Sequence, residues 1–142
     1  MALALEEAEK AFSSNEVPVG AVLVTPSNEF FQNRNRTREL HSPSAHAEHL
    51  AIEAACEARG DWRLEGCTLY ATLEPCLMCA GLAVLSRVSR IVYGASDRRF
   101  GAFGSVTDIL DIPGLNHYPV VSGGLMEEKA SALLTEFFRS HR

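Results

Sequence analysis

The spacing of two short segments constrains this chain more than anything else in it. They are His46-Ala47-Glu48 and, downstream, Pro75-Cys76-Leu77-Met78-Cys79. One imidazole and two thiolates can hold a zinc ion and leave its fourth position open. A carboxylate two residues from the imidazole can then handle protons on a water at that position. Any fold the chain adopts has to bring these two segments to one point.

The number of protein donors separates a structural zinc site from a catalytic one. Cys67 opens a strand-like run nine residues before Cys76, which puts it roughly 30 Å away at ~3.3 Å per residue. Cys56 follows His46 by ten residues on a helix-like stretch, about 15 Å along an axis rising ~1.5 Å per residue. Neither is expected to reach, so His46, Cys76 and Cys79 remain, and an open position points to chemistry. Two other readings stand beside this one. A metal-free CxxC redox pair gives His46 and Glu48 no role. A structural zinc needs a fourth ligand from elsewhere in the chain.

The 142 residues fit one domain spanning 1–142, with 46% hydrophobic and 22% charged residues, the balance of an ordinary globular chain. No apolar run approaches the ~18 residues that span a bilayer, so no membrane association is expected. No basic start leads into an apolar stretch and cleavage site, and cysteine usage fits a reducing compartment, so a cytoplasmic protein is expected. The net charge of −5 argues against a broad phosphate-binding face. The arginines are clustered, however: Arg34, Arg36 and Arg38; Arg87 and Arg90; Arg98 and Arg99; and Arg139 with His141 and Arg142. They read as a local basic rim or as solvated surface.

Leu5, Ala8, Ala11 and Phe12 recur at helical spacing. Val17 to Val24 reads as a buried strand, with Glu29 to Gln32 as a short partner across the Pro26-Ser27-Asn28 turn. Ser44 is a candidate N-cap for a helix running to Arg59 and stopping at Gly60, its inner stripe formed by Ala47, Leu50, Ala51, Ala54 and Ala55. Thr68 to Leu73, Arg90 to Tyr93 and Val120-Val121 read as strands. Helices are expected from Cys76 to Ser86 and around Met126, Ala130, Leu133, Leu134 and Phe137. This alternation predicts an α/β fold: a three-layer α/β/α sandwich on a mixed five-stranded sheet, parallel in its later part.

Pro75 suits a helix entry, which places Cys76 in the first turn, where unpaired N–H groups and the helix dipole lower a thiol pKa. Cys79 then shares its face. His46 and Glu48 are two apart and do not share a helix face. Both reach one site only if their helix meets it end-on. The expectation is therefore two helix N-termini aimed at one ion, supporting negative charge there. Two thiolates cancel the charge of Zn²⁺, so a base must take the proton of the attacking water. Glu48 is the candidate, passing protons on to a ring nitrogen and a leaving amine. The His-x-Glu…Pro-Cys-x-x-Cys order resembles the signature of zinc nucleobase deaminases, which implies ammonia as product, released from an aromatic carbon that carried an exocyclic amino group.

Further stretches extend the pattern: Val17-Pro18-Val19-Gly20-Ala21-Val22-Leu23-Val24, Asn35-Arg36, Ala45-His46-Ala47-Glu48, Thr72-Leu73-Glu74-Pro75-Cys76, Met78-Cys79-Ala80-Gly81, Gly101-Ala102, Gly104-Ser105, Asn116-His117 and Phe137-Phe138-Arg139. In this ordered set, from about Leu3 to its end, the chain resembles the bacterial tRNA-specific adenosine deaminases of the cytidine deaminase-like superfamily. The resemblance implies conversion of adenosine to inosine at the wobble position of a tRNA anticodon. It implies one zinc per subunit on His46, Cys76 and Cys79, with Glu48 as proton shuttle. It implies that Asn35 contacts the target base, that Ala47 offers its backbone N–H beside the attacking water, and that Asp97 lies near the ribose preceding the target nucleotide. It also implies a homodimer carrying the anticodon stem-loop across both subunits. Leu77, Ala80, Val84 and Leu85 could serve that interface or fill the core.

The chain departs from the pattern in three places. Met1 is expected to fall inside its first helix, where relatives usually carry several more residues. After Asp97 it reads Arg98-Arg99-Phe100, where relatives often have a lysine and small residues. Phe103 is bulky beside two glycines. Phe100 and Phe103 can stack on splayed bases or anchor the loop. A deaminase of a free base or nucleoside is the competing enzyme, and a non-catalytic RNA-binding module with structural zinc is the competing non-enzyme.

Overall fold

The computed structural model describes residues 1–141. Arg142, read above as part of a basic chain end, lies outside the described residues. The elements run α1 (Ala2–Ser13), β1 (Gly20–Val24), β2 (Phe30–Arg34), α2 (Ala47–Arg59), β3 (Thr68–Leu73), α3 (Leu77–Leu85), β4 (Arg90–Ala95), β5 (Val120–Ser122) and α4 (Glu127–Ser140). The strands form one sheet in the order β2-β1-β3-β4-β5. β1 pairs antiparallel with β2 and β3, while β3–β4 and β4–β5 are parallel. α1 and α4 pack together on one face, and α2 and α3 cover the other. The expected three-layer sandwich with a mixed five-stranded sheet is the observed one.

α1, α2 and α3 each owe their seat to a small-residue face. α1 buries Ala4, Leu5, Ala8 and Ala11, and α2 buries Ala47, Ala51, Ile52 and Ala55. α3 contributes Ala80, Ala83 and Val84. Alanines let the helix axes approach the sheet, while Leu23, Ile52, Leu69 and Ile91 fill the space between. Each such aliphatic, removed from water, contributes roughly 2 kcal/mol. Gly60 ends α2 in the left-handed conformation, φ 62°, as the helix stop required.

Several boundaries differ from the sequence reading, each for a local reason. β1 begins only at Gly20, because Val19 N–H turns back to the Val17 carbonyl at 2.8 Å and Pro18 has no N–H for a ladder. β2 lies one residue later than expected at its start and extends to Arg34. Ser44 is not the N-cap of α2; His46 is. The Ser44 carbonyl accepts the His46 N–H at 2.8 Å, and its hydroxyl meets that of Ser42 at 3.1 Å. The chain is therefore still turning at Ser44. Leu50 and Ala54 are half-buried, and Ile52, absent from the expected stripe, is 1% exposed.

Candidate active site

One edge of the sheet gathers four strand ends. Val19 precedes β1, Asn35 follows β2, Glu74 to Cys76 follow β3, and Ser96-Asp97 follow β4. Side chains from all four line a single cavity of about 710 Å³. The two later strands contribute their carboxyl ends, the usual ligand edge of a parallel α/β sheet.

His46 is the N-cap of α2 and Cys76 the N-cap of α3, both in extended backbone conformations. Cys76 thus sits one position before the first turn expected for it. The two helices meet the site end-on, which resolves the spacing of His46 and Glu48. An N-cap residue projects past the helix end, and Glu48, in the first turn, points into the same corner. Leu50 N–H bonds to the His46 carbonyl and Ala80 N–H to that of Cys76, at 3.0 and 2.8 Å. The earlier amides of both helices remain without intrahelical partners, so two positive helix ends converge here.

Nδ1 of His46 lies 3.6 Å from Sγ of Cys76 and 3.6 Å from Sγ of Cys79. Tetrahedral zinc, with bonds of ~2.05 Å to nitrogen and ~2.3 Å to sulfur, requires an N···S separation of about 3.6 Å. The donor triangle therefore has the size of a zinc site. Among the described residues no fourth His, Cys, Asp or Glu joins it. Cys67 is buried elsewhere, its sulfur accepting from Nη1 of Arg59 at 3.1 Å, and Cys56 lies against the Trp62 carbonyl at 3.5 Å. Ring nitrogens of His49, His117 and His141 bond to the carbonyls of Ser44, Val88 and Phe137.

The protonation chemistry of the donors also fits a cation. The hydrogen bond from the Cys79 thiol, helped by His46, holds Cys76 down to about 4. The same shared proton, together with burial, pushes Cys79 far above the ordinary thiol range. The hydrogen bond to Cys76 raises His46, with the Glu48 and Cys76 charges adding to it. One thiolate is easy here, and a second forms only against a positive ion. Glu48 is 4% exposed, and burial pushes its carboxyl up to about 7. A carboxyl in that range can take and return protons near neutral pH.

The other expected contacts are tied into the protein. Asn35 is buried on the cavity wall, its Nδ2 donating to Glu16 at 3.4 Å and to Thr37 at 3.5 Å. Ala47 is the first residue of α2 and lines the cavity. The Asp97 carboxylate accepts the N–H groups of Arg99 and Phe100 at 2.9 and 3.3 Å, so it also builds its own turn. Phe103 is buried in the core, whereas Phe100 is 67% exposed on the cavity wall. Phe103 thus anchors the loop, and Phe100 is the one of the pair exposed to the cavity. Phe138 and Leu134 of α4 close the far side of the cavity.

The basic rim is narrower than the arginine clusters suggested. Arg34 and Arg36 both bond to Glu39, and Arg139 pairs with Glu136. Arg98 and Arg99 are the arginines on the cavity wall. Sequence reasoning missed Glu16 and Glu74, each 1% exposed, which hold the wall from behind. The available signal was a lone acid at the border of an apolar run.

Residues 1–95 match the family described as the cytidine and deoxycytidylate deaminase zinc-binding region. The tRNA-specific adenosine deaminase of Bacillus subtilis (strain 168) is 48% identical over 98% of this chain and 86% of its own length. That of Aquifex aeolicus (strain VF5) is 45% identical over 99% of this chain and 92% of its own. A solved structure from work on A-to-I editing by tRNA:A34 deaminases superposes with a TM-score of 0.90 at 45% identity, covering 94% of this chain and 97% of that one. A donor triangle of zinc dimensions, a mixed sheet that gathers it, and kinship along almost the whole chain agree: this protein belongs to the zinc-binding cytidine and deoxycytidylate deaminase family, on its tRNA-specific adenosine deaminase branch.

Proposed function

We propose that this protein hydrolyses adenosine to inosine and ammonia at the wobble position of a tRNA anticodon. One observation carries the chemistry: three metal donors cluster beside a buried carboxyl at an open cavity that His46, Glu48 and Cys76 line, in a chain kin to tRNA-specific adenosine deaminases along its length. His46, Cys76 and Cys79 hold the zinc, which when bound supplies the Lewis acidity that makes water nucleophilic near neutral pH. Glu48 takes the proton of the attacking water and delivers it to the ring nitrogen beside the amino group. It then takes the remaining proton from the newly added hydroxyl and delivers it to the amino group as that group leaves, so water and adenosine become ammonia and inosine.

Asn35 orients the base, steadied by Glu16 and Thr37. Ala47 offers a helix-end N–H toward the attacking water, and Asp97 lies beside the preceding ribose. The target base must leave its stack to reach a floor this deep, which an anticodon loop permits at low cost.

A homodimer belongs to the same proposal. Leu77, Met78 and Leu85 are 58%, 41% and 66% exposed on α3, an apolar surface suited to a second copy. Ala80 and Val84, read earlier as interface or core, are buried in the core. We assign the protein to the cytoplasm, where four free cysteines suit the reducing conditions. Among the described residues no helix is long and apolar enough to cross a membrane.

The test is to incubate the protein with an anticodon stem-loop, sequence the RNA for adenosine-to-inosine change at the wobble position, and measure zinc in the same sample. Inosine formation with about one zinc per chain is expected. An unchanged stem-loop in a zinc-loaded sample refutes the reading.

A further inference from the structure

We propose that Glu74 is a positioning residue for this reaction: its buried carboxylate fixes the loop 97–105, and through it the Asp97–Phe100 wall of the cavity, in register with Cys76. The inference rests on the deaminase reading for its kinetic consequence, but not for its structural one.

Glu74 stands between the end of β3 and Pro75-Cys76, and its own N–H donates to the Ala95 carbonyl at 2.8 Å. Its side chain is 1% exposed, where a bare carboxylate is costly. Four donors meet it, all from the same loop. Oε2 accepts the N–H groups of Phe103 and Ser105 at 3.1 and 3.3 Å. Oε1 accepts the Ser105 hydroxyl and the Asp97 N–H, the latter at 3.4 Å. Three of these donors are backbone N–H groups, which can only donate, so Oε1 and Oε2 both serve as acceptors.

The loop is shaped around this group. A Cβ on Gly101 would enter the space of the Glu74 carboxylate and the Asp97 carbonyl. Ala102 N–H bonds to the Pro75 carbonyl at 3.0 Å, and Gly101 bridges to Cys76. At its other end the Asp97 carboxylate holds the Arg99 and Phe100 amides. Glu74 therefore joins two things that have to be in register: the metal-ligand segment and the wall that faces substrate. Its position follows from neither the zinc chemistry nor the core.

Glu74→Gln tests this with almost no change of shape. The Ser105 hydroxyl can rotate and accept from the new amide, but the Asp97 N–H cannot. The variant should therefore keep the Phe103–Ser105 anchorage and release the Asp97 turn. Expected results are unchanged zinc content, an Asp97 amide that exchanges about tenfold faster, and a stem-loop KM raised about tenfold at a kcat within about threefold of the parent. A merely structural Glu74 lowers Tm and leaves KM and the Asp97 exchange rate unchanged, which overturns the proposal.

Ser105→Ala, a milder variant, removes only the hydroxyl and should raise KM by roughly threefold with kcat steady. If Glu74→Gln does not fold, this variant decides: a raised KM supports the proposal, and an unchanged KM and Asp97 exchange rate sinks it. If the unsubstituted protein leaves stem-loops untouched, the deaminase reading fails, and the exchange rates alone judge Glu74.

Discussion

Asn35 and Glu16 meet inside the protein, the amide Nδ2 donating to the carboxylate Oε2 at 3.4 Å across 19 residues of sequence. Glu16 also receives the Thr37 hydroxyl at 3.3 Å and the Glu39 N–H at 2.8 Å. One buried acid thus sets the whole segment that carries the proposed base-contacting amide. Glu16→Ala leaves these donors unpaired and should cost about 2 kcal/mol of stability. Per folded molecule, kcat/KM on a stem-loop should fall by roughly tenfold while zinc content stays constant. Kinetics at a temperature well below Tm, with metal analysis, check this; unchanged kcat/KM would show that Asn35 needs no such support.

Glu48 carries the proton traffic in the proposed mechanism. Glu48→Gln keeps the shape and removes the base. It should retain zinc and lose at least about 100-fold in kcat. Burial of the side chain is the reason to expect a clean result, since little solvent is at hand to substitute for it. Single-turnover assays on a stem-loop measure the loss, and a variant within about threefold of the parent would remove Glu48 from the mechanism.

Zinc uptake should be linked to protons in a way the thiol pair dictates. With Cys76 held down to about 4 and Cys79 pushed high, stripped protein at pH 8 carries one thiolate and one thiol. Binding zinc there should release about one proton, from Cys79. His46 is raised above its ordinary value, so toward acid pH it is protonated as well and the count should climb toward about two. The sign follows: zinc affinity rises with pH, by about tenfold per unit for each proton released. Calorimetry in buffers of different ionisation enthalpy counts the protons. Two protons at a pH where His46 is neutral would mean that Cys76 is an ordinary thiol.

How far the sequence carried the structure differs between residues for physical reasons. α1 and α2 were legible because Ala8, Ala11, Ala51 and Ala55 repeat at the helical period. The end-on approach was legible from His46 and Glu48 being two apart. The cap was not: Ser44 has the better local propensity, but the site needs an imidazole at the end of α2, and the site prevails. α3 is apolar on every side, so the spacing of Leu77, Ala80, Val84 and Leu85 could not say which of them face water. Glu16 and Glu74 were opaque for another reason. Their partners are loop amides and hydroxyls 19 to 31 residues away, and no periodicity encodes a loop that closes over a carboxylate.

The cavity rim separates stacking from charge, and RNA binding should show them as distinct effects. Phe100 is 67% exposed on the wall, and the Arg99 guanidinium sits 6.0 Å from the centroid of the Phe138 ring on α4. A stacked base contributes about 1–3 kcal/mol whatever the salt, whereas a phosphate contact releases counterions and so depends on salt. Phe100→Ala should therefore weaken stem-loop binding by roughly tenfold or more at every ionic strength, with the slope of log K against log [salt] unchanged. Arg99→Ala should reduce that slope by about one and lose most of its effect at high salt. Arg99→Lys keeps the charge but loses the guanidinium placed over the Phe138 ring, so it should restore the slope more fully than the affinity. Equilibrium binding of an anticodon stem-loop across a salt series resolves all three variants. Full affinity in Phe100→Ala would return Phe100 to a loop-anchoring role, and an unchanged slope in Arg99→Ala would take Arg99 off the phosphate path.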